Sequence, residues 1–82
     1  MFHVYIIQSE KSGRFYVGHT DDLERRLREH GEGQAKSTRN RGPWRLAHSE
    51  SFATKSEAYR REREIKSWKS HQSIRLLIEE TR

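Results

Sequence analysis

Eighty-two residues make one domain with a modest core and leave no room for a second folded unit. Apolar residues are 30% of the chain and charged ones 35%, but the apolar positions are periodic and eight residues are aromatic (two Trp, three Tyr, three Phe), which excludes a disordered tail. Lysine and arginine exceed aspartate and glutamate by 17 to 12, a net charge of +5 that favours an anionic partner, nucleic acid being the commonest, and the lack of cysteine excludes disulfides and thiolate-bound metals.

Phe2 to Gln8 is rich in Val, Ile and aromatic side chains and predicts a strand. It is too short to span a bilayer and follows no basic stretch, so neither a membrane helix nor a signal peptide is expected and the chain reads as cytoplasmic. The turn "SEKSG" leads into a second β-prone run, Arg14 to His19, and the two form an antiparallel hairpin. Alternation puts Tyr5 on a face with His3 and Ile7, and Tyr16 on a face with Arg14 and Gly18. Asp21 and Glu24 have capping-box spacing, and Leu23 and Leu27 mark the inner stripe of a helix ending near Gly31 and Gly33. Arg26 and His30 fall beside that stripe, with Arg25, Arg28 and Glu29 toward solvent.

The stretch "GEGQAKSTRNRGP" is a loop by composition. From Gln34 to His48 the chain carries Lys36, Arg39, Arg41 and Arg45 and no acid, which suits either a polyanion contact or a solvated loop. "WRLAHSESF" predicts a third strand, Thr54 to Glu57 is a capping box opening a helix that runs to about Trp68, and "SIRLLIEE" is a last helix with Ile74, Leu77 and Ile78 on one side. Without repeat or linker, residues 1–82 read as a single domain of order β-β-α-β-α-α.

A few positions do not suit a plain core. Glu62 lies between Ala58 and Ile65 on the inward stripe of its helix, and a buried carboxylate requires a cation, either a basic side chain such as an arginine or a bound metal. Tyr5 and Tyr16 are ordinary as half-buried strand residues, and Arg26 is ordinary as a snorkelling side chain. The five histidines show no zinc-ligand spacing. Brought into one pocket, however, two tyrosines, an arginine and a glutamate are the parts of phosphodiester hydrolysis: a group to orient water, a cation for the phosphate and a carboxylate for a divalent metal.

In this arrangement the chain resembles the GIY-YIG nuclease domain. His3-Val4-Tyr5 stands where that family has its first motif, with His3 in place of a glycine, and Tyr16-Val17-Gly18 matches the second. "DLERRLREH" resembles the stretch that carries the family's arginine, here Arg26, and "SEAYRREREIKSW" the stretch that carries its metal-binding glutamate, here Glu62. The likeness runs from Phe2 to about Leu77 and is strongest to small stand-alone members related to the N-terminal nuclease domain of the excision-repair subunit UvrC.

The resemblance implies an α/β (α+β) sandwich, a three-stranded antiparallel sheet flanked by helices. It implies a catalytic set of Tyr16 to orient water, Tyr5 to assist it, Arg26 to stabilise the transition state, and His30 and His19 at its margin, with Glu62 holding one Mg²⁺ or Mn²⁺. Lys36, Arg39, Arg41, Arg45 and Lys66 are the expected nucleic-acid contacts, and the asparagine that many relatives place after the glutamate helix has no clear match here, Lys66, Trp68 and Lys69 occupying that region. The implied activity is an endonuclease on structured or damaged DNA, with DNA ahead of RNA. The other readings are a nucleic-acid-binding module with little catalysis and an adaptor whose protein partner supplies targeting.

Overall fold

The computed structural model describes residues 1–33, 41–68 and 70–80. The elements are β1 (Phe2–Ser9), β2 (Phe15–Thr20), α1 (Leu23–Gly31), β3 (Trp44–Phe52), α2 (Lys55–Ser67) and α3 (His71–Glu80), an α+β fold in the expected order. The sheet has the order β2-β1-β3 and is antiparallel throughout, so β1 is central and β2 forms one edge. A central strand is covered on both faces, which is why Val4, Tyr5, Ile6 and Ile7 read as a continuous apolar run and are all buried. No helix among the described residues is long and apolar enough to cross a membrane.

The hairpin turn is organised by Ser9. Its hydroxyl accepts from the amides of Lys11 and Ser12 and donates to the Arg41 carbonyl at 2.6 Å, tying the turn to the entry of β3. Gly13, at φ +78°, supplies the left-handed residue that lets the chain reverse. β2 then begins at Phe15 and runs to Thr20, one residue later at each end than the β-prone run suggests.

Val4, Ile6 and Val17 form the core on one face of the sheet with Ala58 and Ile65 of α2, and Ile74, Leu77 and Ile78 of α3 pack against that cluster. The opposite face carries Tyr5 and Tyr16 and receives α1 through buried His30. The helix starts differ in instructive ways. The N-cap of α1 is Asp22, not Asp21, with its carboxylate accepting from the Arg25 amide; Asp21 pairs instead with the Arg25 guanidinium at 3.3 Å. The Thr54–Glu57 capping box of α2 forms in both directions. α3 starts at His71, two residues before the expected Ser73, because Ser70 can accept from the Ser73 amide.

Candidate active site

The register of β1 and β2 brings the two tyrosines together, with ring centroids 6.5 Å apart. Gly18 is the direct cross-strand partner of Tyr5. A Cβ at that position would lie 2.5 Å from the Tyr5 hydroxyl and 2.7 Å from Cζ. The glycine that ends Tyr-Val-Gly is therefore a space requirement, leaving room for the tyrosine ring to cross the neighbouring strand.

α1 adds Arg26 and His30, one turn apart on its inner face. Arg26 Nε donates to the Tyr5 hydroxyl at 3.3 Å, and that hydroxyl lies 2.9 Å from His30 Nε2. In the imidazole tautomer that leaves Nε2 without a proton the phenol donates to it, and in the other tautomer Nε2–H donates to the phenol oxygen. Burial lowers the His30 pKa, the Arg26 charge lowers it further, and Glu29 opposes both. Burial raises the Tyr5 pKa against the pull of Arg26, so Tyr5 remains a phenol. Arg26 also donates to Glu29 Oε1 at 2.9 Å, and the bonds to Tyr5 and Glu29 keep it a cation. Glu29 is thus half-buried and turned inward, where helix counting had placed it toward solvent.

α2 supplies the carboxylate. Glu62 is 9% exposed, its Oε1 2.5 Å from His19 Nδ1 and its Oε2 2.8 Å from Lys66 Nζ. Burial pushes its pKa up, but the bonds and charges of Lys66 and His19 outweigh that and hold it below the ordinary carboxylate range. The partners of this inward carboxylate are a lysine one turn on and a strand histidine, rather than an arginine. Lys66 Nζ is also 6.0 Å from the Tyr16 ring centroid, and His30 is 5.2 Å from the same ring. Tyr16, on the outer strand, is therefore flanked by His30 of the α1 cluster and by Lys66, the α2 lysine that holds Glu62. Beside them Arg25, Arg26 and Lys55, with His19 and the carboxylates of Asp21 and Glu29, line an open groove of about 360 Å³ in which the cations outnumber the acids, which suits an anion.

A model of the GIY-YIG catalytic domain matches residues 1–75. The chain belongs to the GIY-YIG family. It thereby falls among nuclease-type domains whose substrates are nucleic acids. A UPF0213 protein of Halobacterium salinarum is 52% identical over 67 residues, 80% of this chain and 86% of that one. Another from Haloquadratum walsbyi is 45% identical over 80 residues, covering 96% and 89% of the two chains. The solution NMR structure of a UPF0213 protein from Bacillus halodurans superposes with a TM-score of 0.60 at 40% identity, covering 96% of this chain and 84% of that chain.

Within this GIY-YIG fold, Tyr5, Tyr16, Arg26, His30, His19, Glu62 and Lys66 come together around β2. His3, in the first-motif glycine position, pairs with Thr20 and Ser51 and bonds the Ser51 hydroxyl at 3.2 Å, away from the cluster. Lys36 and Arg39 lie outside the described residues. Arg41 and Arg45 do not flank Arg26: Arg41 lies beside Lys11 and Arg14 at the hairpin tip, and Arg45 donates to Gln8 Oε1 at 2.9 Å. Glu29 was missed although its i,i+3 spacing from Arg26 was a signal. A second network, His48 to Glu50 at 2.7 Å and Glu50 to Arg61 at 2.9 and 3.1 Å, was missed for lack of any local pattern.

A divalent ion suits Glu62 on the chemistry of its donors. Among the described residues no three His, Asp or Glu converge, so this carboxylate offers the single-anchor mode in which Mg²⁺ keeps water and takes substrate phosphate oxygens. The Lys66 side chain, half exposed, is a flexible cation that can yield Glu62 Oε2 to such an ion.

Proposed function

We propose that this chain, acting as one domain, is a metal-dependent endonuclease that hydrolyses phosphodiester bonds in DNA. The observation that carries the reading is the position of Tyr16 between His30 of the Arg26–Tyr5–His30 chain and Lys66, which holds the Glu62 carboxylate. Tyr16 orients the attacking water, and the Arg26 guanidinium, anchored by Tyr5 and Glu29, faces the charge that develops on the phosphoryl oxygens. His30, held neutral, keeps a site for a proton passed through Tyr5. His19 positions Glu62 through its bond to Oε1. A bound Mg²⁺ or Mn²⁺ on Glu62 would neutralise phosphate charge and stabilise the leaving oxygen. The natural setting for this activity is cytoplasmic processing of structured or damaged DNA in repair or recombination, with DNA ahead of RNA and a protein partner for targeting.

A second reading, a binding module on the same fold, is favoured by one observation: both oxygens of Glu62 are already bonded, by Lys66 and His19. Cleavage of labelled single-stranded, duplex, nicked and branched DNA and matched RNA, with Mg²⁺, Mn²⁺ or EDTA, separates the two. Metal-dependent cutting that falls by about 10²-fold or more in Glu62→Ala and in Tyr16→Phe, with binding in EDTA unchanged, is the expected result. Binding without cutting under every metal selects the module.

A further inference from the structure

Along β2 from Tyr16, on the other face of the strand, lies a second cluster that the site above does not use. The Phe15 ring packs against that of His71 at the start of α3, centroids 4.5 Å apart and planes 32° from parallel. Phe15 is half-buried, whereas His71 is exposed. The pair forms one wall of an open groove of about 350 Å³ that Arg45 and Arg75 also line. Arg45 is fixed there by its bond to Gln8, and Arg75 stands one helical turn beyond His71. Glu79, a further turn along, closes the groove with the opposite charge, so an anion is favoured at the arginine end.

An exposed ring backed by a second ring and flanked by two guanidinium groups offers a π face to a base and cations to its phosphate. Paired bases within a continuous duplex have both faces covered by their neighbours and cannot use such a platform. We propose that the Phe15–His71 groove is a subsite for an unpaired nucleotide flanking the scissile phosphate, so that the substrate class is a single-stranded or splayed segment of DNA or RNA. The proposal rests on the nuclease reading for its position relative to the cut, and Phe15 adjoins Tyr16 directly in β2.

Binding is measured in EDTA by fluorescence anisotropy with labelled oligothymidylate, oligouridylate and a blunt duplex; cleavage of the same probes is measured with Mn²⁺. The expected result is that His71→Ala weakens oligothymidylate binding about tenfold, His71→Tyr restores it, and duplex binding moves little, because the variant forfeits one stacked base and the ring alone returns it. Arg75→Ala should lower the salt dependence of single-strand binding by the equivalent of about one phosphate. A parallel loss for oligouridylate makes the subsite common to both nucleic acids, whereas a loss confined to either one assigns it to that acid. If wild type cuts nothing while the His71 effect persists, the catalytic reading falls and the subsite stands. If wild type cuts with Mn²⁺ but His71→Ala binds and cuts single strands like wild type, the subsite is overturned and the catalytic reading stands. Both substituted positions are exposed, and circular dichroism checks that each of the three variants remains folded.

Discussion

Gly18 and His30 show how single residues constrain the site. Adding one methyl group at Gly18 puts a Cβ 2.5 Å from the Tyr5 hydroxyl, so Tyr5 must leave the position in which Arg26 and His30 hold it. Gly18→Ala is therefore expected to cost about 1–3 kcal/mol of stability by overpacking. At about 4–8 °C per kcal/mol this is a readily measured fall in Tm, accompanied by loss of cleavage. A variant with wild-type Tm and activity would show that the ring has other room. His30 makes a pH prediction. Its folded pKa is depressed from 6.5 by burial and by Arg26, so above 6.5 the ring is neutral in both states. As pH falls below 6.5 the unfolded chain takes up its proton first, and stability declines. Tm measured from pH 7.5 to 5.5 should drop for wild type and drop less for His30→Gln, which keeps a side-chain hydrogen bond without the titration. Equal slopes in the two proteins would mean that His30 is not buried as a neutral ring. A further decline below pH 4.5 is expected as Glu62 and Glu50, both held below that value in the fold, are protonated.

At the scale of elements, α2 is the part on which the site depends. It is aligned at its start by the Thr54 capping box and along its length by the Glu50–Arg61 pair to β3, so Glu62 reaches the sheet at a fixed height. Thr54→Ala removes the cap and should cost about 0.5–2 kcal/mol, visible as a lower denaturation midpoint with the slope unchanged. An unshifted midpoint would assign the alignment of α2 to Glu50 and Arg61 instead. The cap was legible in sequence because its partners are three residues apart. So were the inward position of Glu62, from the 3.6-residue period of Ala58 and Ile65, and the strand pair bearing Tyr5 and Tyr16, from β-prone runs around a Gly turn. Of the partners of Glu62, Lys66 was legible as an i,i+4 glutamate–lysine pair, whereas His19, 43 positions back, was not, because strand register and helix crossing bring it there. Asp22 displaced Asp21 as N-cap for a similar reason: Thr20 accepts from the Asp22 amide and sets where the helix begins.

At the scale of the whole molecule, a cationic groove lies at each end of β2. Arg25, Arg26 and Lys55 line the groove near Thr20, while Lys11, Arg14 and Arg41 line one of about 420 Å³ at the hairpin tip. Six strand residues separate them, roughly 20 Å at about 3.3 Å per residue, and the tyrosines and Glu62 lie between. A backbone laid along this edge meets cations on both sides of the reacting phosphate, which holds it in register without reading its sequence. The consequence is specific to the hairpin end, since Arg14 and Arg41 are exposed and belong to neither the core nor the tyrosine cluster. Replacing both with Ala should leave Tm near wild type and weaken binding evenly across sequences. The plot of log affinity against log salt should flatten by roughly 1.5, at about 0.7–0.9 for each phosphate that the protein no longer neutralises. An unchanged slope with unchanged affinity would mean that the strand leaves β2 before the hairpin tip, and only the Thr20 end would then carry the polyanion.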